Sequence, residues 1–186
     1  ATILIQRNRF SEALEALKEA ESTATVWALR ADCYDGLGER ELSRDSVSKA
    51  LAADANSRKS LRLFGTQQLA DGNAEAAIDP LRKVLQQDPH DTQARYQLGL
   101  AYSKLGQDDA SKREMAAHDA SVKLHEQFYG LVRQAAAEPG NVQIREQLAE
   151  IATSLGKPEV ANRWRLAAIA CRNAVEAVQN DDDPKR

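Results

Sequence analysis

The chain is 186 residues long, enough for one or two compact domains or one elongated array of repeats. Its 25 basic and 28 acidic residues leave a formal charge of -3, so no basic field invites nucleic acid. No apolar run approaches the roughly 20 residues a membrane span needs, which excludes membrane insertion by a helix of this sequence. Sparse glycine, proline and aromatics, beside abundant alanine, leucine, glutamate, glutamine and arginine, favour helix.

In chain order, Ala1-Thr2-Ile3-Leu4-Ile5 is too short for a signal-peptide core and lacks a basic leader. It reads as the tail of a helix entering a turn at Asn8. With no initiator methionine, the sequence reads as cut from a longer protein, so targeting signals say nothing about its compartment. Residues 9–21 form an amphipathic pattern, with Phe10, Ala13, Leu14, Leu17 and Ala20 at helical spacing. Ser22-Thr23-Ala24 connects this segment to a helix pair over 25–37 and 39–54, broken at Gly36-Leu37-Gly38, where glycine permits a left-handed exit. Helices over 58–71 and 74–88 follow, hinged at Asp71-Gly72-Asn73, with a bend expected at Pro80 inside the second. Asp88-Pro89-His90-Asp91 ends that pair, and Asp91 can cap the next helix, 92–105, whose Leu98, Gly99 and Tyr102 point inward.

From 108 to 138 only Gly130 interrupts helix, and Leu124, Phe128, Leu131, Val132 and Ala135 continue an apolar stripe. The region is one long, bent helix or two helices meeting near residue 120; the first reading is preferred. Glu138-Pro139-Gly140-Asn141 ends it, Asn141 caps a helix over 142–155, and Gly156-Lys157-Pro158 turns into a last helix reaching about Val178. Residues 179–186, with three successive aspartates, read as a disordered acidic tail.

A period runs through these elements. Gly65 recurs as Gly99, Gly72 as Gly106, and Leu81 as Met115, each 34 residues on. One step back from the glycines lie Ala31 and Gly38, flanked by Trp27 and Tyr34. Ala149, Gly156, Ala161 and Ala168 repeat the spacing once more, and Ala13, Leu17 and Ala20 keep it near the start. This period and these small residues resemble the tetratricopeptide repeat family over most of 1–172. Arg95 and Arg145 stand where the family has a bulky apolar residue, and Arg165 falls at a core place, leaving Trp164 or Leu166 to be buried. The interval from Gly106 to Gly156 is 50 residues, 16 more than the period.

The resemblance implies an all-α fold: a right-handed superhelix, or solenoid, of helix pairs with one long irregular helix and a C-terminal capping helix. A single solenoid is expected over 1–178. It comprises a truncated first hairpin at 1–21, repeats at 25–55, 58–89 and 92–119, the long or bent helix at 108–138 and a last repeat at 142–172. Such a hairpin cannot bury its apolar face alone and must lean on its neighbours. Gly65 and Gly99 would therefore mark close helix approaches.

No reaction is indicated. His118 and His125, seven apart, with Glu114 one turn earlier, lack a convincing fourth metal ligand. Gly36-Leu37-Gly38 has no lysine-serine after it and is not a phosphate loop. Cys33 and Cys171 lie far apart in the repeat order and read as free thiols. No metal, cofactor or catalytic residue is assigned.

What remains is surface. In the family, the first helix of each pair lines the concave side, where a protein or peptide segment lies. Mapping three positions onto each first helix gives Ala28, Asp32 and Asp35; Arg62, Thr66 and Leu69; Tyr96, Leu100 and Ser103; and Glu146, Glu150 and Thr153. The expected groove is acidic at both ends with an apolar, aromatic middle, suited to a segment with basic flanks. Thr66 replaces the asparagine with which some family members grip a terminal carboxylate, so a chaperone-tail receptor is disfavoured. The expected function is a non-enzymatic protein–protein interaction scaffold. The alternative is a structural arm or docking region of a larger enzyme or multisubunit assembly. Apolar stripes on the last helix (Trp164, Ala168, Cys171, Val175, Val178; and Leu166, Ala170, Ala174, Ala177) add self-association, through it or the long helix, as a further expectation.

Overall fold

The structure, a computed structural model, describes residues 1–181, with side chains described to residue 174. Ten helices and no strand occur among the described residues: α1 Thr2–Gln6, α2 Phe10–Ala16, α3 Ala24–Gly36, α4 Arg40–Ala53, α5 Arg58–Ala70, α6 Ala74–Gln87, α7 Thr92–Lys104, α8 Asp108–Ala137, α9 Val142–Ser154 and α10 Pro158–Asp181. Residues 179–181 thus belong to α10, and the rest of the expected tail lies outside the described residues, as do the side chains of Val175, Ala177 and Val178. The chain divides into two compact units, one of Ala1–Ala116 and one beginning at Ala117.

The same backbone device closes every hairpin. Gly38, Gly72, Gly106 and Gly156 have φ of +78°, +83°, +70° and +67°, and Asn8 takes φ +55° in the first turn. The residue after each donates its N–H six residues back: Arg9 to Leu4, Glu39 to Tyr34, Asn73 to Gln68, Gln107 to Tyr102 and Lys157 to Ala152, at 2.8–2.9 Å. This bond satisfies a carbonyl that the helix end leaves without a partner. Starts are equally periodic. Thr23, Ser57 and Asp91, 34 residues apart, cap α3, α5 and α7 by accepting the amides of Val26, Ser60 and Ala94, and Asn141 caps α9 the same way.

In the first unit, α5, α6 and α7 share a core of Leu61, Leu69, Leu81, Val84, Leu98 and Tyr102 among others. Glycine makes its closest packing possible. A methyl group on Gly65 would sit 2.7 Å from Leu81 Cγ, and one on Gly99 would sit 2.9 Å from Met115 Cε. The two contacts are the same contact one period apart. A third lies off the period: the Phe10 ring packs against Gly36, which is helical rather than part of the turn.

Helix α2 stops at Ala16, short of the expected Glu21, because its last bonds tighten to a three-residue spacing and Arg30 Nη2 donates to the Leu17 carbonyl at 2.7 Å. Helix α6 runs through Pro80 without a break in its assignment. The region from 108 forms one 30-residue helix, α8. In the second unit, Phe128, Leu131, Val132 and Ala135 of α8 pack with Ile144 and Leu148 of α9 and Trp164 of α10. Trp164 takes the burial there; Leu166 is exposed, and Arg165 donates to Thr153 Oγ1 at 2.8 Å.

Candidate functional site

The mapped positions fall on the exposed side of α3, α5 and α7 in the first unit, where α3 neighbours α5 and α5 neighbours α7. Their side chains are largely tied to the next helix. Asp32 pairs with Lys59 at 2.5 Å. Arg62 pairs with Asp91 at 3.0 Å, and that carboxylate, nearly buried, also caps α7. Thr66 accepts from Gln97 Nε2 at 2.6 Å and donates to the Arg62 carbonyl at 2.9 Å. Lys104 Nζ donates to the Leu69 carbonyl at 3.1 Å. Each bond crosses from one repeat to the next, fixing the face as it joins the repeats.

Two mapped residues are withdrawn from the surface. Leu69 is 7% exposed and lies in the core that α5 shares with α6 and α7, and Ala28 is fully buried. The apolar middle is therefore Tyr96, 46% exposed, and half-buried Leu100, one turn apart on α7. The acidic ends also shrink. Asp32 is matched by Lys59, and in the second unit Glu146 is matched by Arg172 at 2.5 Å. Asp35 and Glu150 have no ion pair among the described residues.

Asp35 and Thr66 do meet. They border a recess of about 130 Å³ with Ser43, Arg44, Gln67 and Asp71, where Arg44 pairs with Asp71 and Gln67 Nε2 donates to Ser43 Oγ at 3.0 Å. That volume holds a few waters or one small polar group, well short of a typical ligand pocket. Position mapping misses Arg44 and Asp71 because they lie outside the first-helix places it samples. In the second unit Glu150 borders a shallow depression of about 410 Å³ with Gln127, Leu131, Gln134, Gln147 and Ile151.

No catalytic arrangement emerges from these contacts. His125 Nδ1 lies 2.8 Å from the Ser121 carbonyl, and no group of three His, Cys, Asp or Glu that could hold a metal occurs among the described residues. Cys33 is fully buried, and burial, followed by the charge of Asp32, pushes its thiol above the ordinary range, so it stays protonated at neutral pH. Among the described residues, no helix is long and apolar enough to cross a membrane. Exposed Tyr129, Leu166 and Ile169 leave apolar surface on α8 and α10.

Comparison with known proteins agrees with this architecture. Residues 68–135 match the family described as tetratricopeptide repeat. The cellulose synthase operon protein C of Pseudomonas fluorescens (strain SBW25) is 29% identical over 191 residues, covering 95% of this chain but only 14% of that protein. Among solved structures, MamA AMB-1 superposes with a TM-score of 0.55 at 17% identity, over 90% of this chain and 92% of that one. The MamA RS-1 ArsTM double mutant gives 0.55 at 17% identity, over 95% and 92%. At such identities the structures share a fold and nothing more specific. Stacked helix pairs of this kind are scaffolds for protein interaction, their surface built by repetition rather than by a pocket. The turn glycines, helix caps and glycine-against-side-chain contacts all recur at the same interval, and the chain belongs to the tetratricopeptide repeat family.

Proposed function

We propose that this chain is a non-enzymatic scaffold that holds a segment of a partner protein along the exposed side of α3, α5 and α7. The observation that carries the reading is the setting of Tyr96. It is an exposed aromatic next to Leu100, on a face whose polar neighbours are already held by Lys59–Asp32, Arg62–Asp91 and Gln97–Thr66. A face ordered before binding loses little freedom on binding, and an aromatic anchor is the commonest source of affinity in an interface. Asp35 offers a negative charge at one end of this face, so the segment carries an apolar centre and a basic residue beyond it. With Asp32 and Glu146 already matched by cations, salt dependence is modest, about the effect of one exposed pair.

The test is titration of the chain with a peptide of apolar centre and lysine flanks, followed by calorimetry. Tyr96→Ala is expected to weaken binding about tenfold or more, in line with loss of an aromatic hot spot, and Asp35→Asn to remove most of the salt dependence. Equal affinity for the parent and Tyr96→Ala chains would remove the proposal.

A second reading rests on a different observation. Similarity to the cellulose synthase operon protein C extends over nearly the whole of this chain yet occupies a small part of that protein. This supports a docking region within a larger assembly whose other parts do the chemistry. Deleting residues 1–174 from the full-length protein should then break co-purification with its assembly partners while leaving its remaining domains folded; intact co-purification would rule this out.

A further inference from the structure

The places of Trp27, Leu61 and Arg95 are successive, 34 residues apart, in the first turns of α3, α5 and α7. The first two are filled by their own side chains. The Trp27 ring is covered by Arg30 and Lys49, at 4.6 and 4.8 Å from its centroid, and Leu61 is buried. Arg95 does not fill its place. Its Nε donates to the Pro89 carbonyl at 2.7 Å and its Nη1 to Glu114 at 2.8 Å, which holds the guanidinium along the rim. A cleft of about 430 Å³ stays open between α6, α7 and α8 in the first unit, floored by Leu85, Leu98 and Ala110.

The rim is basic and in part preorganised. Arg82 Nε and Nη2 both donate to the hydroxyl of buried Tyr102, at 3.0 and 2.7 Å, and its remaining N–H groups stay available. Its acidic neighbour Asp79 is 4.0 Å away and almost fully exposed, too weak to occupy it. Arg113 borders the same cleft, is exposed, and has no ion pair among the described residues. Glu114 is the one carboxylate at the rim, and Arg95 already matches it. Two guanidinium groups therefore face an apolar floor without a resident anion.

We propose that this cleft is a second binding site, for a glutamate side chain in an acidic segment of a protein partner. The carboxylate lies between Arg82 and Arg113, where planar guanidinium groups match it in paired hydrogen bonds. Its two methylenes lie on Leu98 and Ala110. The site uses the opposite side of α7 from Tyr96 and Leu100, so it is independent of the surface proposed above.

The experiment is titration of the 186-residue chain with an acetylated, amidated peptide of alternating glutamate and leucine, read by calorimetry and by the Nε–Hε resonances of the arginines. The expected result is a shift of the Arg82 and Arg113 signals, and affinity lowered about tenfold or more in R82Q/R113Q. Tyr96→Ala should leave this affinity unchanged. Arg113→Glu alone, at an exposed position that cannot disturb the core, should abolish binding while the thermal transition stays in place. Unchanged affinity in either arginine variant, or loss in Tyr96→Ala, would overturn the proposal. Displacement of the peptide by inorganic phosphate at equal concentration, with the same arginine shifts, would overturn its assignment to a carboxylate.

Discussion

Leu81→Ala is expected to lower the unfolding free energy by about 2–5 kcal/mol, read as a shift in the urea midpoint. Leu81 has no exposed surface and sits in the largest core cluster, among Leu61, Val84 and Leu98. Truncation removes its apolar contacts and leaves a void, and the void cannot close easily. Gly65 has no side chain to move into it, and α5 and α6 are pinned at their shared hairpin by the turn at Gly72. The loss therefore belongs in the upper part of that range. A midpoint unchanged by the substitution would mean that Leu81 does not join α5 to α6 in solution.

Gly65→Leu is expected to destabilise from the opposite direction, by about 1–3 kcal/mol or more through overpacking. Two effects compete. Leucine is the better helix former by nearly 1 kcal/mol, but its first carbon alone would lie 2.7 Å from Leu81 Cγ, and the rest of the side chain has no room. Packing wins. Gly130 in α8 shows the contrast, since nothing lies within 4 Å of a methyl group placed there. Gly130→Ala should stabilise its unit by roughly 0.5–1 kcal/mol. Opposite signs at two helical glycines, measured by the same denaturation series, would separate close packing from helix propensity.

The architecture was legible because the features that build it are local and periodic. A positive φ needs glycine or asparagine, so Gly38, Gly72, Gly106 and Gly156 announce their turns in the sequence. The pairing of Gly65 with Leu81, and of Gly99 with Met115, follows from one period seen twice. Thr23 and Ser57 were harder to read as caps, because threonine and serine are as common in plain connections as at helix starts. The early end of α2 depends on Arg30 reaching the Leu17 carbonyl from thirteen residues away, which no local pattern encodes.

The binding face was legible only as a set of positions. Repeat mapping gives the direction in which a residue points on its own helix; it does not say what the next repeat sends across. Lys59 reaches back to Asp32, and Asp91 to Arg62, so charges that look available in sequence are bonded in the structure. Leu69 was misplaced for a related reason: its position borders the face, and the core shared with α7 takes it in. Arg95 shows the reverse. It stood out in sequence as a charge at an apolar place, but only the contacts to Pro89 and Glu114 reveal that it props a cleft open instead of filling it.

The claim beneath all of this is that equivalent helix pairs pack through equivalent close contacts, and a double-mutant cycle between Gly65 and Leu81 tests it most directly. If the two positions touch, the space vacated by Leu81→Ala accepts the leucine brought in by Gly65→Leu. The double variant is then more stable than the sum of the single losses predicts, by a coupling of about 1 kcal/mol or more. Losses that add to within roughly 0.5 kcal/mol would show that the two residues do not meet, and the stacking of repeats described here would be wrong.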